Sequence, residues 1–281
     1  MPLLPVSELA HWSPLFRGKA GTAFAGWVRK ALSMSALSDA YDAAALEGEG
    51  AVFAHALLKV LDVDYRIGHA ERLGKLPDGP FIAVANHPYG GLDGVILIDM
   101  LGNRRDGFKV MANEILNHAV ALTPSLIIVN PATDASTGVT AQNIRGVKEV
   151  LRQLSEGRPV GLFPSGAVSD LHFRNIADRE WQPSVLRLIQ KARVPVLPVR
   201  FFDYNTLFFY LLGLIDWRVR VLRLPHEVVN KHGQSPRVGI GPLISVEEQA
   251  ACPDLAAFGQ LLRSRVYDME LPEVFTLSSR L

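Results

Sequence analysis

The segment Pro80-Phe81-Ile82-Ala83-Val84-Ala85 runs directly into Asn86-His87-Pro88-Tyr89-Gly90-Gly91-Leu92-Asp93-Gly94. A short apolar run bounded by proline on one side and a turn-rich polar stretch on the other predicts a buried strand that ends in a loop. The same pattern recurs downstream. Gly94 to Leu101 predicts a helix, Phe108 to Met111 and Ser125 to Val129 predict strands, and Ala141 to Leu154 predicts a helix closing at Gly157. Arg158 to Pro164 then reads as a strand, Pro183 to Ala192 as a helix and Val194 to Phe201 as a strand. Strands and helices alternating at this length predict an α/β fold with the sheet covered on both faces.

Residues 1 to 65 read differently, as a helical lead-in containing Thr22 to Met34 and Ala51 to Leu61. In the second piece, Val52, Phe53, His55, Ala56, Leu57 and Val60 recur nearer to a period of 3.6 than of 2. We therefore expect an N-terminal helical extension over 1–65, with Trp12, Phe16, Phe24 and Trp27 as a candidate membrane contact, ahead of a domain over 66–281. Near the end, Trp217 to Leu224 alternates arginine with apolar residues and Pro236 to Ile240 predicts a late strand. Val246 to Glu270 predicts a closing helical segment broken at Pro253. No internal repeat or linker divides the chain.

Composition narrows the function classes. The 281 residues are 48% hydrophobic and 20% charged, and 29 Lys+Arg against 28 Asp+Glu leave a formal net charge of +1. That is a folded protein without the broad basic field through which a nucleic-acid binder releases counterions, so no nucleic-acid partner is expected. A single cysteine, Cys252, allows no internal disulfide and fits a reducing compartment. The first ten residues lack a basic region followed by a long apolar stretch, so no secretory signal is expected. No window reaches the roughly 18–20 apolar residues of a spanning helix, so a membrane contact would lie on the surface. His11, His55, His69, His118, His172, His226 and His232 are scattered without ligand spacing, and no metal is predicted.

Two loops carry the chemistry. His87 stands at the C-terminal end of a strand, where α/β folds place reactive groups, and an imidazole can serve as a general base acting on an alcohol. Asp93 is the candidate carboxylate to orient it, and Gly90 and Gly91 give the backbone freedom to bring Asp93 back toward His87. Spacing alone equally allows His87 to end a strand and Asp93 to sit at a helix N-terminus for its dipole. The second loop, Phe163-Pro164-Ser165-Gly166-Ala167-Val168-Ser169, offers backbone N–H groups and two hydroxyls for an oxyanion or an anionic head group. Serines that only satisfy their own turn are the alternative.

The ordered blocks Asn86-His87 with a following acid, Phe163-Pro164-Ser165-Gly166, and Val194-Pro195-Val196-Leu197-Pro198-Val199 resemble those of the glycerolphosphate and lysophospholipid acyltransferase superfamily, over about residues 65 to 245. The resemblance is closest to the bacterial branch called hemolysin-like, which includes lyso-ornithine lipid acyltransferases. That branch carries Asn-His-Pro-x-Gly-Gly-(Leu/Ile)-(Asp/Glu)-Gly, as at 86–94, and Phe-Pro-x-Gly-x-Val-Ser, as at 163–169. Trp181-Gln182-Pro183-Ser184 and Leu224-Pro225-His226-Glu227-Val228 are similar to it as well.

The resemblance implies a mixed, mostly parallel sheet covered by helices and the transfer of a fatty acyl chain to the hydroxyl of a lysolipid. The donor would be a thioester of acyl carrier protein or coenzyme A, with no other cofactor. It implies His87 and Asp93 as catalytic residues and Asn86, Gly90, Gly91, Pro164, Ser165, Gly166, Ser169 and Arg174 at the substrates. The expected place is peripheral, on the cytoplasmic face of the inner membrane.

The chain departs from the commoner phospholipid enzymes in three ways. It has five residues between His87 and Asp93 where they have four. It has Ser165-Gly166-Ala167-Val168 where they have Glu-Gly-Thr-Arg, and Ile127-Ile128-Val129-Asn130-Pro131 lacks their arginine. Two guanidinium groups that would clamp a phosphate are thus missing, which favours a phosphate-free acceptor such as a lyso-aminolipid. Arg145 and Arg174 are the candidates to replace them for a lysophosphatidate acceptor, and a non-catalytic hemolysin-like lipid binder is the alternative of another class. The aromatic run Phe201 to Leu212, with Arg218, Arg220 and Arg223 after it, reads either as an interfacial contact whose arginines meet anionic head groups or as a buried core helix.

Overall fold

A computed structural model describes residues 33–129, 141–173 and 175–280. Helices α1 (Met34–Ala45) and α2 (Ala51–Val60) precede β1 (Arg66–Gly68), β2 (Ile82–Ala85), α3 (Gly91–Gly102), β3 (Lys109–Asn113) and β4 (Leu126–Val129). Then come α4 (Ala141–Ser155), β5 (Val160–Leu162), a small hairpin of β6 (Asp170–Leu171) and β7 (Ile176–Ala177), α5 (Pro183–Ala192) and β8 (Val196–Phe201). Three consecutive helices, α6 (Leu207–Ile215), α7 (Trp217–Leu222) and α8 (Leu224–Val229), lead to β9 (Arg237–Ile240), α9 (Val246–Ala250), α10 (Leu255–Tyr267) and β10 (Phe275–Leu277).

The main sheet has eight strands in the order β10-β1-β9-β8-β2-β5-β3-β4. From β8 to β4 all neighbours are parallel. β9 runs antiparallel to β8, β1 parallel to β9, and β10 antiparallel to β1. The sheet is therefore mixed and mostly parallel. β2 lies inside it, and its alternating side chains feed two cores. Ala83 and Ala85 pack with Phe53, Leu57, Ile96 and Met100 on one face, whereas Ile82 and Val84 pack with Val150, Leu154, Ile189, Phe258 and Leu262 on the other. Burial on both faces is why this strand is a continuous apolar run.

Ala44 of α1 and Phe53 of α2 belong to the first of these cores, so the boundary expected at residue 65 does not separate two hydrophobic cores. Thr22 to Leu32 and the aromatic residues before them lie outside the described residues. Trp217 to Leu222 forms a helix, its alternation of arginine and apolar residues notwithstanding. The closing segment breaks as expected: α9 ends at Ala250, and Asp254 caps α10 by accepting the Ala257 N–H at 2.8 Å. Among the described residues no helix is long and apolar enough to cross a membrane.

Candidate active site

Parallel strands present their C-terminal ends on one edge of a sheet. β2 and β5 are paired in register, Ile82 with Val160 and Val84 with Leu162, so the loops that begin at Asn86 and Phe163 leave the sheet side by side. Their aromatic rings meet: the His87 imidazole stacks on Phe163 with centroids 4.0 Å apart and planes at 27°.

Asp93 is fully buried in the first turn of α3, and its Oδ2 accepts the N–H groups of Tyr89 and Gly90, each at 2.9 Å. Those bonds fold the loop back and bring the same oxygen to 2.9 Å from His87 Nδ1, so the turn absorbs the fifth intervening residue. Neither His87 Nδ1 nor Asp93 Oδ1 has an aligned hydrogen-bond partner, which makes the contact electrostatic at its present angle. Burial pushes the Asp93 carboxyl up, against the contact with His87 and the two backbone donors, which pull it down. The His87 side chain is only 18% exposed, and with Nδ1 facing Asp93 its Nε2 is the nitrogen left to take a proton.

Gly90 adopts φ +82°, and a Cβ there would meet Leu224 Cδ2 at 2.9 Å, so both the turn and the close approach of α8 demand glycine. Gly91 is exposed with open space where a Cβ would stand. Asn86 is 3% exposed, and its amide bonds the backbone of Phe201 twice: Nδ2 donates to the carbonyl at 2.9 Å and Oδ1 accepts the N–H at 2.7 Å. The residue expected at the substrate therefore ties the end of β2 to the end of β8.

The second loop is also more inward-facing than its sequence suggests. Pro164 and Ser165 are buried, and the Ser165 hydroxyl donates to the Ala167 carbonyl at 2.7 Å. Gly166 takes φ +66° with its N–H on Phe163 O, and a Cβ there would run into Gln182. Ser169 is 1% exposed; its N–H donates to His87 O at 2.9 Å and its hydroxyl to Asp178 Oδ1 at 2.6 Å. Both hydroxyls offered for a substrate are thus engaged by the protein. Among the described residues of this turn, the backbone N–H groups of Ser165, Ala167 and Val168 are uncommitted. Arg174 lies outside the described residues, and Arg145 is exposed on α4 beside β4, three strands from β2.

Sequence reasoning missed the groups that hold these loops. Asn205 donates to the carbonyls of Pro88 and Tyr89 at 3.4 and 3.2 Å, and the Tyr210 hydroxyl donates to Pro88 O at 2.8 Å. Arg220, expected at head groups, is 5% exposed and bonds Ser169 O and Asp170 Oδ1. Arg223 pairs with buried Glu227 at 3.1 Å and stacks over Phe208. These two arginines turn inward because unpaired carboxylates and carbonyls beneath the helices need them. The Arg218 side chain lies outside the described ones. What faces outward is apolar: Leu207, Phe208, Leu211, Leu214, Ile215 and Trp217 are all exposed.

An acyltransferase family model matches residues 10–271. Two curated relatives are lyso-glycine lipid O-acyltransferases. That of Bacteroides thetaiotaomicron is 28% identical over 78% of this chain and 80% of its own length, and that of Phocaeicola vulgatus is 26% identical over 78% of each. Among solved structures, the 1-acyl-sn-glycerophosphate acyltransferase PlsC of Thermotoga maritima shares the fold with a TM-score of 0.50 and 15% identity, covering 87% of both chains.

Proposed function

Because this chain belongs to the acyltransferase family and is an acyltransferase, we propose that it moves a fatty acyl chain from a thioester to the hydroxyl of a lysolipid with an amino-acid head group. Lyso-glycine lipid and lyso-ornithine lipid are acceptors of this class. The observation that carries the reading is the His87–Asp93 contact of 2.9 Å at the C-terminal edge of β2. His87 Nε2 takes the acceptor's hydroxyl proton as the oxygen attacks the thioester carbonyl, and Asp93 stabilises the imidazolium that forms. Charge then develops on the carbonyl oxygen, and the N–H groups of Ser165, Ala167 and Val168 are the donors available beside it. Collapse of the tetrahedral species breaks the C–S bond, and the imidazolium returns the proton to the departing thiolate. No acyl-enzyme is involved.

An aminolipid acceptor is supported by the two relatives' names and by where the arginines go, since Arg220 and Arg223 are held by protein carboxylates and Arg145 stands by a distant strand. The donor in this reading is the thioester of acyl carrier protein or of coenzyme A. The exposed apolar face of α6 and α7 supports peripheral attachment to a lipid surface, which in this reading is the cytoplasmic face of the inner membrane.

The test offers purified protein both thioesters with lyso-glycine lipid, lyso-ornithine lipid and lysophosphatidate in separate reactions. Transfer to an aminolipid is expected, and His87→Ala should reduce it by about 10²–10⁴-fold or more. A folded His87→Ala protein with full activity overturns the mechanism. Transfer to lysophosphatidate alone overturns the acceptor, and no transfer with any pair moves the weight to a non-catalytic lipid binder.

A further inference from the structure

The hairpin β6–β7 returns the chain to the site and delivers one residue that the proposed mechanism does not use. Asp178 is 2% exposed, and its Oδ1 accepts the backbone N–H of His87 at 3.1 Å together with the Ser169 hydroxyl at 2.6 Å. Its Oδ2 accepts the Trp181 indole N–H at 3.2 Å. Its own N–H donates to the Tyr267 hydroxyl at 2.8 Å, and Arg263 Nη2 donates to its carbonyl at 2.9 Å while lying over the rings of Trp181 and Tyr267. One buried carboxylate thus joins the loop of the base, the loop of the oxyanion donors and the start of α5.

We propose that Asp178 is a positioning residue of the acyl transfer, fixing the backbone of His87 against the Phe163–Ser169 turn. The inference rests on His87 being the base. Its physical content is a set of closed bonds. Ser169 donates its N–H to His87 O at 2.9 Å while Asp178 accepts the His87 N–H, so both backbone groups of His87 are tied to one short stretch of chain. The imidazole is then confined from three sides: Asp93 at Nδ1, Phe163 against its face, and this pair of bonds at its backbone. A base and its oxyanion donors must keep their separation to within a fraction of an ångström, and a displacement of about 1 Å costs on the order of 10²-fold in rate. Burial makes the tie rigid, because an unpaired carboxylate or N–H in this dry position is penalised if the loops part.

The experiment compares wild type with Asp178→Ala, Asp178→Asn, Ser169→Ala, the Ser169→Ala/Asp178→Ala pair and His87→Ala, with kcat and acceptor KM measured separately and folding followed by thermal melting. Asp178→Ala should lower kcat by about 10²-fold with KM little changed, as a misplaced base would. Asp178→Asn keeps an oxygen for His87 and Ser169 and should recover at least tenfold of that loss. The Ser169 and Asp178 effects should be non-additive, since they share one bond. A folded Asp178→Ala protein with wild-type kcat overturns the proposal, as does a loss confined to KM or one that Asp178→Asn fails to recover. If Asp178→Ala does not fold, Ser169→Ala decides, with a kcat loss expected and an unchanged kcat overturning the proposal. Full activity in His87→Ala overturns the parent reading and this one with it, whereas an inactive His87→Ala beside unaffected Asp178 and Ser169 variants overturns this one alone.

Discussion

A carboxylate with no solvent contact is held at a cost, and Asp93 is such a group: desolvation raises its pKa above the ordinary 3.8. For a carboxyl whose folded pKa lies above its unfolded one, the favourable contribution to stability is full below the unfolded value and is lost as the pH rises through the folded value. Asp93→Asn should therefore abolish most acyl transfer while its melting temperature, relative to wild type, rises as the pH goes from about 4 to about 7. Thermal melts across that range check this, and a margin that shrinks with pH would show that burial does not dominate. His87 and Asp93 were legible because a strand end, two glycines and an acid lie within a few residues of one another. Asn86, Ser165 and Ser169 are polar residues in the same motifs, but backbone groups reachable only after folding engage them. Asp178 carried no signal, since nothing in its local sequence says that a hairpin will return it to His87.

At the scale of elements, α6 illustrates how a helix without a charged residue is held to the molecule. Its N-cap, Thr206, accepts the Phe209 N–H, and the same residue donates its hydroxyl and its backbone N–H to Glu227 of α8 at 2.7 and 3.0 Å. Glu227→Ala leaves those donors and Arg223 without their acceptor. We expect a loss of roughly 2–3 kcal/mol of stability by denaturant titration, with amide exchange in α6 accelerated before that of β2. Uniform acceleration throughout the chain would refute this local tether. Over Phe201 to Leu212 the sequence allowed either an interfacial contact or a buried core helix; in the structure the helix starts at Leu207 and buries Phe209 and Tyr210 while leaving Leu207, Phe208 and Leu211 exposed. Which arginines follow the helix could be read, but not that two of them point inward.

For the molecule as a whole, the apolar face of α6 and α7 is exposed while Tyr210 of α6 and the preceding Asn205 hold the Pro88 loop, so lipid attachment would set the site close to the bilayer surface. With Arg220 and Arg223 paired internally, attachment should rest on apolar insertion. Wild-type protein should bind neutral phosphatidylcholine vesicles and lose little on raising the salt, whereas a Leu214→Glu/Ile215→Glu protein should bind about tenfold or more weakly. Binding that requires anionic lipid and vanishes in salt would restore the arginine-led contact. By itself the sequence determined the α/β architecture, the strands β2, β3, β4, β5 and β8 with the helices α3, α4 and α5 between them, and the two loops at the reactive edge, because apolar periodicity and turn residues act over a few neighbouring positions. Only the tertiary structure decided which polar groups of those loops remain open, because a buried donor or acceptor takes its partner from whatever the packed chain brings within 3 Å or so, and that partner can be a hundred residues away.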